Sequence, residues 1–142
     1  MKTKFAFLER DFGFELQARR LDRWSRRWVP SLVCKNATTG VFIEYDVRDS
    51  YLKVVIFELQ NGDIPNREGY ILCDKGYALN HVVLLKNPED AVGSSDFEGE
   101  DWLDAYFSKV AENLKTHASD LLSGNFEKGP EINAMGRSLA PD

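Results

Sequence analysis

Two apolar runs, VFIEYDV at 41–47 and YLKVVIFEL at 51–59, stand either side of Arg48, Asp49 and Ser50. So short a polar link leaves room only for a tight turn, and the runs therefore predict two neighbouring strands. In the first, Val41, Ile43, Tyr45 and Val47 alternate with Phe42, Glu44 and Asp46, the period of two expected of a strand with one face on a core and one on water. The second carries Leu52, Val54, Val55, Ile56, Phe57 and Leu59 on both faces. That pattern places it centrally in a sheet covered by helix on at least one side.

The flanking chain supplies the rest of an α+β fold. Phe5, Leu8 and Phe12 fall at helical spacing, with Gly13 positioned as a left-handed stop. Phe14, Leu16 and Ala18 then alternate as a strand, and residues 31–35 make a second after Pro30. Residues 36–40 form a turn into the central pair. Four strands joined in succession most simply make an antiparallel meander. Tyr70, Ile71, Leu72 and Cys73 are a candidate fifth strand. Residues 78–86, with Leu79, Val82, Val83 and Leu85, read as a short helix stopped by Asn87 and Pro88, with a strand as the alternative. Residues 87–99 read as a polar surface loop.

The longest element is a helix over about residues 100–122. Leu103, Tyr106, Phe107, Val110, Leu114, Ala118 and Leu121 form its apolar stripe, and Asp104, Lys109, Glu112 and Lys115 face away. Ser95 and Glu98 have capping-box spacing, with Gly99 as the alternative cap. Ser123, Gly124 and Asn125 end the helix. Another turn or two follows over 126–136, anchored by Phe126, Ile132 and Met135, before a frayed terminus. The expected architecture is a four- or five-stranded antiparallel meander with an amino-terminal helix and a long carboxy-terminal helix packed on it. A length of 142 residues with 43% hydrophobic content suits one such domain over 1–142.

No apolar run approaches a membrane span, and Glu9, Arg10 and Asp11 interrupt the amino terminus before a secretory core could form. The expectation is a cytoplasmic protein in which Cys34 and Cys73, both flanked by apolar residues, stay reduced and buried. A redox pair or a nucleophile is the alternative, without a CxxC motif to support it. The net charge of −5 is unevenly placed: residues 1–60 hold eleven Lys and Arg against eight Asp and Glu, and residues 61–142 hold seven against fifteen. Such asymmetry can mark a binding face.

Candidate chemistry is sparse. Asp96, Glu98, Glu100, Asp101 and Asp104 form the densest acidic group, which acid–base catalysis or a metal would use only if the carboxylates converged. Favourable placement at the positive end of the long helix explains them more simply. Arg19, Arg20, Arg23, Arg26 and Arg27 surround Trp24 and Trp28, a combination that can meet phosphates and bases. The acidic whole opposes nucleic acid, whereas Trp and Arg are frequent anchors of protein interfaces. His81 and His117 lack zinc spacing, and a triad of Cys34, His81 and an acid has no local signature. Neither phosphate-loop motif, GxGxxG or GxxxxGK[ST], occurs. No cofactor or metal is expected.

With an amino-terminal helix ending FGF at Phe12, Gly13 and Phe14, a meander, and a long helix ending LLSGNF at 121–126, the chain resembles small bacterial α+β proteins, some of immunity-protein type from toxin systems. The resemblance implies a fold without catalytic residues that neutralises a toxin by covering its active surface. The leading expectation is a non-enzymatic protein-binding domain using Trp24, Arg26, Arg27, Asp96, Glu98, Glu100 and Asp101. The alternative is a small-ligand protein with a pocket between sheet and helix lined by Phe42, Tyr45, Phe57, Tyr106 and Phe107.

Overall fold

The computed structural model describes residues 2–19, 31–63 and 75–139. Five strands lie in chain order in one antiparallel sheet: β1 (Glu15–Arg19), β2 (Ser31–Lys35), β3 (Thr39–Asp46), β4 (Tyr51–Glu58) and β5 (Gly76–Ala78). The central pair is in continuous register from Thr39 opposite Glu58 to Asp46 opposite Tyr51. The candidate strand at residues 70–73 lies outside the described residues. The observed fifth strand follows it and pairs only with Val55, Ile56 and Phe57.

Both faces of β4 are buried, as its unbroken apolar run requires. Val54 and Ile56 join Val41, Ile43 and Tyr45 in the core beneath the helices. Val55 and Phe57 join Val33 and Phe42 in a second cluster on the opposite face. The expectation that the Phe42 side of β3 meets water is therefore corrected. Val33 is paired with Phe42, and Phe42 with Val55, so the register sets three apolar side chains in one row. The same division corrects the lining expected for a pocket between sheet and helix, because Phe42 and Phe57 lie on the other face from Tyr45, Tyr106 and Phe107.

The first helix, α1 (Phe7–Phe12), follows a 3-10 turn over Lys2–Phe5 and stops at Gly13, whose φ of 69° is the left-handed conformation a glycine adopts without strain. Residues 79–86 are helical: α2 (Leu79–Lys86) ends at Asn87 before Pro88. Residues 87–99 are organised into 3-10 turns at Pro88–Asp90 and Ser94–Asp96. The capping interaction within them joins the Gly93 N–H to the Asp96 carboxylate at 2.8 Å, in place of the expected pair Ser95 and Glu98.

The long helix is broken in two. The first part, α3 (Trp102–His117), is followed after Ala118 by α4 (Ser119–Leu122). Tyr106, Phe107, Val110, Leu114, Ala118 and Leu121 are buried as the stripe predicts, but Leu103 is 36% exposed and leaves it. Leu103 stands beside Trp102, which packs on the main core, and Asp104, which pairs with Lys4 at 2.9 Å. At the other end, Lys86 Nζ takes the His117 carbonyl at 2.6 Å, capping a backbone oxygen at the break.

A full helix, α5 (Gly129–Leu139), replaces the turn or two expected after Phe126. Pro130 is tolerated because the first helical turn has no intrahelical use for its missing N–H. The β2–β3 turn locks these parts together. Asn36 Nδ2 donates to the Phe12 carbonyl at 3.0 Å and the Leu122 carbonyl at 3.1 Å, so one amide caps α1 and α4. Buried Thr39 donates its hydroxyl to the Leu121 carbonyl at 2.8 Å.

The packing sets a sharp contrast along α3. Phe107, whose ring meets Tyr45 edge-on at 5.2 Å, should lose about 3 kcal/mol of stability on replacement by alanine. Leu103→Ala should cost less, about 1 kcal/mol, since the side chain is 36% exposed. Urea midpoints of both variants check the assignment of faces.

Candidate protein-binding face

Two contacts fix how α3 lies on the hairpin. Tyr45 packs on Phe107, and the Leu52 N–H donates to the Tyr106 hydroxyl at 3.0 Å. Leu52 precedes the β4 residues that β5 pairs, so a side chain supplies what a neighbouring strand does not. Toward its other end, the helical layer reaches Leu121 over Thr39, so α3 runs opposite to β3.

Val47 follows β3 in the hairpin turn, Tyr51 opens β4 opposite Asp46 with its hydroxyl accepting from Asn80 Nδ2 at 3.4 Å, and Leu103 lies in the first turn of α3. Val47 is 59% exposed and Tyr51 40%, and with Leu103 they are the exposed large apolar side chains among the described residues.

Carboxylates lie close to these residues in the chain, with Arg48 as the one exposed cation of the hairpin turn. Glu98, Glu100 and Asp101 lead into α3 and Asp49 lies in the hairpin turn; all are exposed, and none of their side chains makes a hydrogen bond or ion pair among the described residues. Asp101 stands at the helix N-cap without bonding the helix amides through its side chain. Asp96 is committed to Gly93, and Asp104 to Lys4 at 2.9 Å. Of the predicted acidic residues, the fold thus leaves Glu98, Glu100 and Asp101 uncommitted. Trp24, Arg26 and Arg27 lie outside the described residues. Sequence reasoning missed Val47 and Leu103 as surface residues because their spacing is that of core positions; the polar turn at 48–50 was the one local signal that the covered strand ends there.

The other reactive groups are consumed internally. Asp90, on the first 3-10 turn, takes His117 Nε2 at 2.7 Å, Lys109 Nζ at 3.0 Å and Asn87 Nδ2 at 3.1 Å, and its own carbonyl accepts Asn113 Nδ2 at 2.9 Å. A base needs a free lone pair directed at substrate; this carboxylate instead ties the segment after α2 to the face of α3. The network was illegible in the sequence, since Asp90 and His117 are 27 residues apart. Among the described residues no three His, Cys, Asp or Glu side chains gather as a metal site.

Cys34 is buried on β2, and burial pushes its thiol up to about 11, far from the thiolate a nucleophile needs. His81 lies on α2 against Gly136 of α5. Burial lowers its proton affinity. Cys73 lies outside the described residues. No helix among the described residues is long and apolar enough to cross a membrane. No protein-family model, curated protein sequence or solved structure matches the chain.

Two outcomes follow. The hydrogen bonds from His117 and then Lys109 hold the Asp90 carboxyl below its ordinary value of 3.8. A group depressed on folding stabilises the fold above its unfolded value, and that contribution is lost as pH falls through the folded value. The urea-midpoint gap between the wild type and Asp90→Asn should therefore be constant near neutral pH and close in acid below 3.8; a gap unchanged down to pH ~2 would exclude this linkage. Peptide mapping after iodoacetamide treatment at mildly alkaline pH should show Cys34 alkylated in denaturant and spared in the native protein.

Proposed function

We propose that the protein is a non-enzymatic protein-binding domain that docks a basic partner on the end formed by Val47, Tyr51 and Leu103, in the manner of an immunity-type inhibitor. The observation that carries this reading is that the exposed large apolar side chains Val47, Tyr51 and Leu103 lie within a few residues in sequence of exposed carboxylates, Asp49 and Glu98, Glu100 and Asp101, that make no ion pair among the described residues. An apolar centre with a charged rim is the anatomy of a protein interface. The free carboxylates would steer a cationic partner and make the encounter salt-sensitive. Internal use of Cys34, Asp90 and His117 favours binding over catalysis. The resemblance to immunity proteins adds the kind of partner, a toxin whose working surface is basic.

The test is capture from native lysate at low and moderate salt, by the wild type and by two variants. Glu98→Gln/Glu100→Gln/Asp101→Asn removes the charge, and Leu103→Ala trims the apolar centre. The expected result is a stoichiometric basic protein held by the wild type, weakened by salt, and bound about tenfold less tightly by each variant. A partner retained equally by all three proteins, or none at low salt, would reject the face.

A further inference from the structure

A cleft of about 540 Å³ opens at the opposite end of β4, where Glu58 and Lys75 of the sheet, the turn at Phe126 and Glu127, and one side of α5 meet. Its volume falls in the range of small-ligand sites, about 300–1,000 Å³. Tyr51 and Glu58, at the two ends of β4, separate the binding face from this cleft by about 23 Å. The cleft is also distinct from any space between the sheet and α3.

Its walls are firmly set. Gly129, Ile132 and Gly136 recur at three and four residues along α5 and form its docking stripe. Ile132 is fully buried; a Cβ on Gly129 would come within 2.5 Å of the Tyr77 hydroxyl, and one on Gly136 within 2.7 Å of His81 Nδ1. Glycine is thus what allows α5 to lie this close at both ends. One residue further on, Pro130, Asn133 and Arg137 repeat the same spacing, about 100° around the helix, and present a second stripe to the cleft. The Phe126 ring stacks on buried Tyr77 at 6.1 Å with 26° between planes and also lines the space.

The charges in the cleft are sorted. Lys75 and Glu58 neutralise one another at 3.2 Å, while the Glu58 N–H donates to the Lys75 carbonyl at 2.8 Å. Lys128 is paired with Glu131 at 3.9 Å. Two ionic groups remain without an ion pair among the described residues: Glu127, just before α5, and Arg137, in its last turn. A cation is favourable at a helix carboxy terminus, which holds Arg137 there without using its guanidinium donors. The cleft therefore presents a negative group at one end, a positive group at the other and an aromatic surface between. From Gly129, two residues after Glu127, to Arg137 the helix rises about 12 Å, the length of three to four extended peptide residues.

We propose that this cleft binds a short extended peptide of about three residues with both termini free, its ammonium at Glu127, its carboxylate at Arg137 and an apolar side chain on Phe126. Guanidinium and carboxylate match as a two-pronged pair, which sets the direction of the chain. A neutral apolar ligand would leave both terminal charges unanswered, and a simple anion would meet Glu127 without compensation.

The experiment is an NMR titration of the isotopically labelled full chain with free tripeptides of the form Gly-Xaa-Gly, with Phe, Tyr, Leu or Met at the centre, to ~10 mM. Amide shifts are expected at Tyr77, Phe126, Asn133 and Arg137. N-acetylation and C-amidation of the peptide should each weaken binding about tenfold. Glu127→Gln should abolish the discrimination against the acetylated peptide alone, and Arg137→Gln that against the amidated peptide alone. Both substitutions are on exposed side chains, and Leu103→Ala should leave the titration unchanged. Absence of shifts at these amides, or capping that leaves the dissociation constant unaltered, would overturn the proposal.

Discussion

The continuous register of β3 and β4 is the constraint on which the rest of the molecule depends. Eight pairs in unbroken sequence assign every side chain of the two strands to a face, and a slip of one residue would exchange the faces. With Ile43, Val54 and Ile56 assigned to one side, that side must be covered, and the helices cover it. With Phe42, Val55 and Phe57 assigned to the other, a second apolar cluster forms there too. Burial on both faces explains why residues such as Val41, Ile56 and Val55 have no measurable exposure.

Apolar burial is not directional, and the orientation of the helices is set by a few polar groups in contact with it. Asn36 gathers the ends of α1 and α4 through two carbonyls distant in sequence. Tyr106 satisfies a strand amide beyond the reach of β5, and Lys86 caps the break after α3 while pairing with Asp120 at 2.8 Å. Asp90 does the same for the 3-10 segment. These bonds are available only if each helix lies at one depth and in one direction, which is how hydrogen bonds of modest net strength select a single arrangement.

The same arrangement places two unlike surfaces at the two ends of β4. At the Tyr51 end the hairpin turn exposes Val47 and the start of α3 exposes part of Leu103. At the Glu58 end α5 approaches on its glycine contacts and leaves a bounded cleft with separated charges. Neither depends on the internal groups Cys34 and His117, whose surroundings hold them in structural roles.

Local pattern in the sequence determined the first four strands, their succession, the Gly13 stop and most of the α3 stripe, and left 78–86 open between helix and strand. The physical reason is that periodicity, glycine conformation and proline geometry act within a few residues. The acidic group before α3 was legible for the same reason, because its members are neighbours in the chain. Only the tertiary structure decided that Leu103 and Val47 are exposed, since their spacing continues the core pattern and the core simply ends before they do. It also decided that Phe42 is buried, because cross-strand partners rather than neighbours determine its surroundings. The break at Ala118, the full length of α5 and the Asp90 network depend on groups brought together from distant parts of the chain, and no local pattern encodes such a meeting.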